Sequence, residues 1–443
     1  MVKARLVRTL AVLGTGALVL TACGGDADDT ADGTADPGDG GTVEVATDVG
    51  VTEEPCPESA NADNGCIYLG VISDLTEGPF APFGTELVNG QTDFWDRVND
   101  AGGIGGYDVN ISEYTKDAKY NPQEHSQAYR EIEPEILALA QTLGTTQTQG
   151  ILADMEADNV IGAPATWWSG WNFDEADDGR LLESGASYCM MALSGLDWYA
   201  SAEAEPAKVL AVGFPGDFGG DYAGGFEAWA EANGVEYGGF VETGPNASVG
   251  NQDAAVQQIL SSDADVVGLA VGPGETAEIV GKAAAGGFTG KFLGAAPTWN
   301  PALLGTEAAP ALEALFFNIA THETYGSDTP AHAAMLAARG EGNPPSNDAY
   351  TFGWIWQYPL KAALEAAAAN GDLTREGLAS VTDGLAVDFE GSLPDVTLGG
   401  DVDRSITANK VDPEAALGIS TLEAGYIGPT AEAYAYDGPC FTG

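Results

Sequence analysis

Residues 208–242 read KVLAVGFPGDFGGDYAGGFEAWAEANGVEYGGFVE, and their pattern decides the fold. Lys208–Phe214 is a short apolar run rich in Val and Leu, which predicts a strand buried on both faces. A helix is predicted from about Gly219 to Asn233, and Val235–Glu242 supplies the next strand. The rhythm continues with a helix over Gln252–Ser261, a buried strand Asp265–Val271 (DVVGLAV), a helix Gly274–Gly286, a short strand Lys291–Gly294 and a strand Ala314–Ile319. Regular β-α alternation implies parallel sheets covered by helices on both faces, joined by right-handed crossovers.

The same rhythm precedes it. Ile67–Ser73 is predicted as a strand. Thr85–Asp100 is predicted as a helix with Leu87, Val88, Phe94, Trp95 and Val98 on one side, ended by Gly102-Gly103. Val109–Tyr114 is the second strand, and Pro122 opens another helix at its first turn. Glu135–Leu143 is a strand despite its alanines, Gln147–Asp158 is helical and Val160–Ala163 is a strand. A loop-rich stretch, 164–206, separates the two series, so the expected α/β architecture is two doubly wound, Rossmann-like lobes. After residue 320 the pattern turns mostly helical, notably over Asp348–Asn370. At 443 residues the chain exceeds one ordinary hydrophobic core, which agrees with two lobes.

The N-terminus predicts the compartment. Lys3, Arg5 and Arg8 precede an apolar run of 11 residues, Leu10–Leu20, which is too short to span a bilayer. Leu20-Thr21-Ala22-Cys23 resembles the lipobox of bacterial lipoproteins, which implies removal of residues 1–22 and acylation of Cys23. More than one acyl chain gives stable anchoring to a membrane surface. Losing those three basic residues moves the net charge from −51 to −54. Such an excess excludes nucleic acid as a partner, because its phosphates would be repelled. Residues 24–55 carry ten acidic residues and no basic ones, so 23–65 is expected to be a flexible acidic tether.

Four further cysteines remain: Cys56, Cys66, Cys189 and Cys440. An even count in an oxidising compartment predicts two disulfides, with three pairings open. The local pair Cys56–Cys66 is favoured, leaving Cys189–Cys440 to staple the C-terminus to the body. Metal binding is disfavoured, since no CxxC spacing exists and His125, His322 and His332 lie apart. No cofactor is expected. The glycine-rich run Gly213–Gly220 lacks both a P-loop and a dinucleotide fingerprint, and no nucleophile elbow of the G-x-S-x-G type occurs, so no enzyme is expected.

Several motifs together carry a family resemblance. Ile67-Tyr68-Leu69-Gly70-Val71-Ile72, then Gly78-Pro79 and Phe83-Gly84, resemble the opening of type I periplasmic binding proteins, in the leucine/isoleucine/valine-binding branch. Asn99-Asp100-Ala101-Gly102-Gly103-Ile104-Gly105-Gly106 is similar to the N-x-x-G-G-I-x-G turn of that group, and Asp117 followed by Asn121-Pro122 resembles its D-x-x-x-x-P. Leu143-Gly144-Thr145-Thr146, Ala165-Thr166 and Asp217-Phe218-Gly219 fall where the family has cleft loops. The resemblance covers about residues 66–428. It implies lobe 1 over 66–188 and 320–415, lobe 2 over 189–319 and 416–443, and a ligand held between them. It also implies a monomeric receptor serving the permease subunits of an ABC importer. A ligand-binding subunit of a membrane sensory system is the alternative.

In parallel α/β folds the loops leaving the carboxyl ends of strands face the ligand. That rule selects Asp74–Gly84 and Thr145-Thr146-Gln147, where hydroxyls and free N–H groups at a helix start can hold a carboxylate. The resemblance implies that this loop and Ala165-Thr166 grip the solute, with Phe83 and Phe218 as facing aromatics. Trp167, Trp168 and Trp171 crowd one loop without helical periodicity, and one or two of these indoles, Trp167 first, are expected at the ligand. The family's acidic residue for an amino-acid ammonium is replaced by Ala295-Ala296-Pro297-Thr298-Trp299, and its tyrosine by the surroundings of Gly272-Pro273. Pro273 and Trp299 are therefore expected at the cleft. Either Asp74, Glu77 or Glu275 meets an amine, or the ligand is an apolar or aromatic carboxylate or amide.

Overall fold

In the computed structural model, residues 45–340 and 342–442 are described. The first sheet is built on β1 (Gly65–Ser73), whose nine residues are nearly all buried. β1 pairs in parallel with β2 (Tyr107–Asn110), β3 (Thr115–Asp117) and β4 (Ala138–Leu143), and β4 pairs in parallel with β5 (Gly162–Ala165). A short strand, Val51–Thr52, adds antiparallel to β1 and completes six strands. Between β1 and β2 runs α1 (Ala81–Asp100), which buries Phe83, Leu87, Phe94, Trp95 and Val98 on one face. α2 (Pro122–Ile132) is capped by Asn121, whose side chain accepts from the N–H groups of Gln123 and Glu124.

The second sheet has seven strands. β6 (Lys208–Gly213), β7 (Glu236–Glu242), β8 (Val266–Ala270), β9 (Lys291–Ala295) and β10 (Phe316–Ala320) are parallel. β11 (Ile406–Val411) joins β10 antiparallel and β12 (Ile419–Tyr426) joins β11 antiparallel, giving the order β12-β11-β10-β9-β8-β6-β7. The chain thus crosses between sheets after β5, after β10 and before β11. The expected boundary at 415 falls later than this, because β11 hydrogen-bonds to the second sheet rather than the first. Strand pairing across such a sequence separation leaves no local sign.

Two further expectations need correction. The stretch 164–206, expected as loop, contains α3 (Tyr188–Ala202), in which every residue from Tyr188 to Tyr199 is buried. A helix buried on all sides has no polar face and so no period to read. The acidic tether, expected through residue 65, ends sooner. Ala46–Thr47 pairs with Asp372–Leu373, and Val51–Thr52 with β1. The loop between is pinned by the buried Asp108 carboxylate, which accepts from the side chains of Ser59, Asn61 and Asn64. Backbone pairing and one buried acceptor hold a segment that its composition marks as free. The signal peptide 1–22, Cys23 and the tether up to residue 44 lie outside the described residues.

The disulfides are Cys56–Cys66 and Cys189–Cys440. The second ties α3 to the C-terminal tail, which also donates Cys440 N–H to the Ser169 hydroxyl at 2.9 Å. α4 (Asp217–Asn233) follows β6, and α5 (Pro273–Ala285) follows β8. α6 (Ala349–Ile355) packs on α1 at close quarters. A Cβ on Gly353 would stand 2.0 Å from the Leu87 carbonyl oxygen, and one on Gly90 2.0 Å from that of Tyr350, so both positions require glycine. Among the described residues no helix is long and apolar enough to cross a membrane.

Candidate ligand cleft

The carboxyl ends of β1, β4 and β5 meet the loops after β6 and β9 around a slot with about 530 Å³ of empty space, mouth included. Aromatic rings close on it from both lobes. From the first lobe it is lined by Phe80, Phe83, Leu87, Tyr120, Leu143, Gly144, Ala165, Thr166 and Trp167. From the second come Asp217, Phe218 and Pro297, with Tyr188 from α3 and Phe352 and Trp356 closing the back. One buried apolar cluster runs continuously from the second sheet through Tyr188 and Trp167 to Phe83 and Leu87.

Local chemistry aims these rings. At the end of β1 the buried Asp74 carboxylate accepts the N–H groups of Gly78 and Phe80, both at 2.9 Å, which folds the loop and sets Phe80 against Tyr120 at 4.8 Å between ring centres. Burial holds the Asp74 carboxyl above the ordinary range, although these N–H bonds work the other way. After β3, Lys119 and Tyr120 both adopt the left-handed region, with φ of 51° and 55°. Asp117 holds this turn by accepting the N–H groups of Leu75 and Lys119 and the Thr76 hydroxyl. Gln147 fixes it from the other side, donating to the Tyr120 carbonyl at 2.8 Å. Consecutive non-glycine residues in this region cost of order 1–3 kcal/mol each, which surrounding contacts must offset. The strain delivers Tyr120 to the slot.

Trp167 donates its indole N–H to the Ser184 carbonyl at 2.9 Å and so presents only apolar ring. It meets Phe352, Trp356 and Tyr188 with ring centres 5.1, 5.2 and 5.9 Å apart. Tyr188 in turn rests on Phe218 at 4.8 Å. Trp168 and Trp171 face a different cluster, edge to face with each other, and Trp168 donates to the Phe441 carbonyl.

One end of the slot is polar. The Thr145 hydroxyl bonds that of Thr166 at 2.7 Å and donates to the Asp217 carboxylate, joining the two lobes. Asp217 is the first residue of α4, and burial raises its carboxyl pKa despite the Thr145 hydroxyl and the helix N–H groups that favour its charge. Tyr120 and Tyr188 stand near it, and burial first, then the Asp217 carboxyl, push both phenols well above their ordinary value. Among the described residues no lysine, arginine or histidine lines the slot.

Of the residues expected at the ligand, Phe83, Ala165, Thr166, Trp167 and Phe218 line the slot. Thr145 and Gln147 stand behind it, bonded to Asp217 and Thr166 and to Tyr120 respectively. Thr146 is exposed and is not part of the lining. Asp74 shapes its loop, Glu77 is exposed and lies 3.7 Å from Lys119, and Glu275 accepts the Asn246 N–H, so none of these three acids lines the slot. Pro273 opens α5 and is half-buried away from the slot. Trp299 stacks on Phe316 and donates to the Leu417 carbonyl at 2.9 Å, inside the second-lobe core. Asp217, expected in a cleft loop but not at the ligand, also lines the slot beside Phe218. Sequence reasoning had no local sign for Tyr120, Phe352 or Trp356. Among the described residues no group of three or more His, Cys, Asp or Glu side chains is placed to hold a metal.

Two doubly wound sheets, three crossovers and a slot at strand carboxyl ends define a two-lobed solute receptor. A family model described as periplasmic binding protein matches residues 67–414, and the chain belongs to that family, as a type I member of the class found in ABC transporters. The structure is similar to a fatty acid ABC transporter substrate-binding protein from Thermomonospora curvata, with a TM-score of 0.78, 25% identity, and coverage of 88% of this chain and 97% of that one. It is similar to a branched chain amino acid ABC transporter protein from Thermus thermophilus with bound valine, with a TM-score of 0.71, 17% identity and coverage of 84% and 99%. A solute binding protein from Rhodopseudomonas palustris HaA2 in complex with p-hydroxybenzoic acid gives 0.66, 19%, 82% and 98%. No protein of curated function matches the chain.

Proposed function

We propose that this protein is the extracytoplasmic receptor of an ABC importer for an apolar carboxylic acid, an acyl chain or a small aromatic acid. It acts as a monomer, anchored to the membrane by lipid on Cys23, and hands its solute unaltered to the permease subunits. The observation that carries this reading is the slot itself: aromatic walls, an end made by the Thr166 hydroxyl and the Asp217 carboxyl with Thr145 bonding both from behind, and, among the described residues, no cation along it. Asp217 alone favours a second reading, an α-amino acid whose ammonium would pair with that carboxylate, and the leucine titration below separates the two. An apolar tail fits the walls, and its burial supplies roughly 25 cal/mol for each Å² removed from water. The likeness to a fatty acid receptor at 25% identity supports the same class.

Purified protein lacking residues 1–23 is titrated calorimetrically with octanoate, benzoate and leucine. One octanoate or benzoate per chain, with a raised Tm and no turnover, is the expected result. Tight leucine binding without binding of either apolar acid would overturn the assignment. Mass spectrometry of membrane-extracted protein tests acylation of Cys23, and pull-down of permease subunits by the full chain tests the importer.

A further inference from the structure

We infer that Asp217 pairs carboxyl to carboxyl with the acid head of the solute, so that capture of each anion takes up one proton from solvent. This deepens the reading of the slot given above and rests on it. Among the described residues Asp217 is the only acid in the lining, and its carboxyl is the group through which the second lobe reaches Thr145 and, beyond it, Thr166. The groups around it are few. From α4 itself comes Asp221, one turn on and fully buried; from the loop before α2, Tyr120; from the start of α3, Tyr188; from the ends of β4 and β5, the hydroxyls of Thr145 and Thr166. None of these carries a positive charge at neutral pH.

The start of α4, a helix of 17 residues, offers N–H groups and a positive dipole end. That end is equivalent to roughly half an elementary charge, enough for one anion and insufficient for two. A solute carboxylate entering beside an ionised Asp217 would place two negative charges together in an aromatic slot, and two carboxylates sharing a site cannot both ionise. The closed slot therefore holds one proton between two carboxyl groups. One O–H, formed with a proton drawn from the buffer, donates to the other carboxylate, and the net charge of the pair is minus one. Burial raises the Asp217 carboxyl pKa, so a proton arriving with the solute is held there more readily than on an exposed aspartate.

The test is calorimetry of the protein lacking residues 1–23 with octanoate in phosphate and in Tris at several pH values, with octylamine as the opposite probe. The expected result is an uptake of about one proton per octanoate near neutral pH, and affinity that falls about tenfold per pH unit on the alkaline side. In Asp217→Asn the amide donates without a proton, so uptake falls to near zero and binding at pH 9 becomes tighter than in the unaltered protein by about tenfold or more. Octanoate bound with no proton uptake, or an unchanged pH slope in Asp217→Asn, would sink the shared proton while leaving the apolar-acid reading intact. Octylamine bound more tightly than octanoate, and lost in Asp217→Asn, would sink both. Failure of every apolar acid to bind would remove the reading on which the pair depends.

Discussion

A single aspartate illustrates how burial turns composition into behaviour. Asp221 accepts the N–H groups of Ser169 and Cys189 at 3.0 and 3.1 Å and the Ser169 hydroxyl, and burial pushes its carboxyl up from 3.8 to about 7. Between those pH values the folded chain holds a proton that the unfolded chain has lost, so stability falls as pH rises from about 4 to about 7. Asp221→Asn is expected to flatten that fall, with a difference between variant and parent on the order of 4 kcal/mol above pH 7. Urea denaturation from pH 4 to 8 measures it; parallel curves would show that Asp221 ionises normally. In the slot, Phe218→Ala removes a ring that packs on Tyr188, and octanoate affinity is expected to drop by roughly ten- to a hundredfold, corresponding to about 1.5–3 kcal/mol of lost burial. At this scale the sequence revealed residue types and loop membership. Direction was hidden: Thr145 faces its neighbours across the cleft while adjacent Thr146 is exposed.

Elements set those directions. The back of the slot is made by Phe352, midway along α6, and Trp356, just beyond its end, and α6 sits where it does because Gly90 and Gly353 let two helix backbones touch. Gly353→Ala would force them apart, with an expected loss of about 1–3 kcal/mol in stability and a larger proportional loss of octanoate binding. A Gly353→Ala protein with unchanged affinity would mean that helix position does not govern the slot. The tail is a second such device. Cys189–Cys440, the Ser187–Tyr436 hydroxyl contact at 3.1 Å and the Trp168 bond to Phe441 strap it over the first crossover. Replacing Cys440 with serine is expected to cost about 2–5 kcal/mol, read as a lower Tm, and added reductant should then lower Tm less than it does in the parent, since only Cys56–Cys66 is left to reduce. Strands such as Lys208–Gly213 were legible because they are apolar runs bounded by turns. α3 was not, because a helix enclosed by protein displays no amphipathic stripe.

At the scale of the whole molecule, charge and closure dominate. A net charge of −51 makes the folded chain repel itself, and salt screens that repulsion over a Debye length of about 8–10 Å at physiological strength. Tm is expected to rise steadily between 0.05 and 1 M NaCl, roughly where surface screening saturates, and a flat response would show the charges are too dispersed to matter. Octanoate should reduce the radius of gyration measured by small-angle X-ray scattering, since a ligand that contacts both lobes favours the state in which they meet.

The β-α alternation from β1 to β10, the two-sheet plan and most of the loops that border the slot follow from the sequence alone. Apolar runs and helical periods are local properties, and the carboxyl ends of parallel strands have a fixed relation to a cleft. Tertiary structure decided the rest: Asp217 at the cleft with no cation beside it, Trp299 drawn into a core, and residues 45–65 pinned to the body. Each of these depends on which distant side chains share a small volume. Contacts between residues far apart in the chain fix burial, and burial fixes the charge and orientation on which recognition rests.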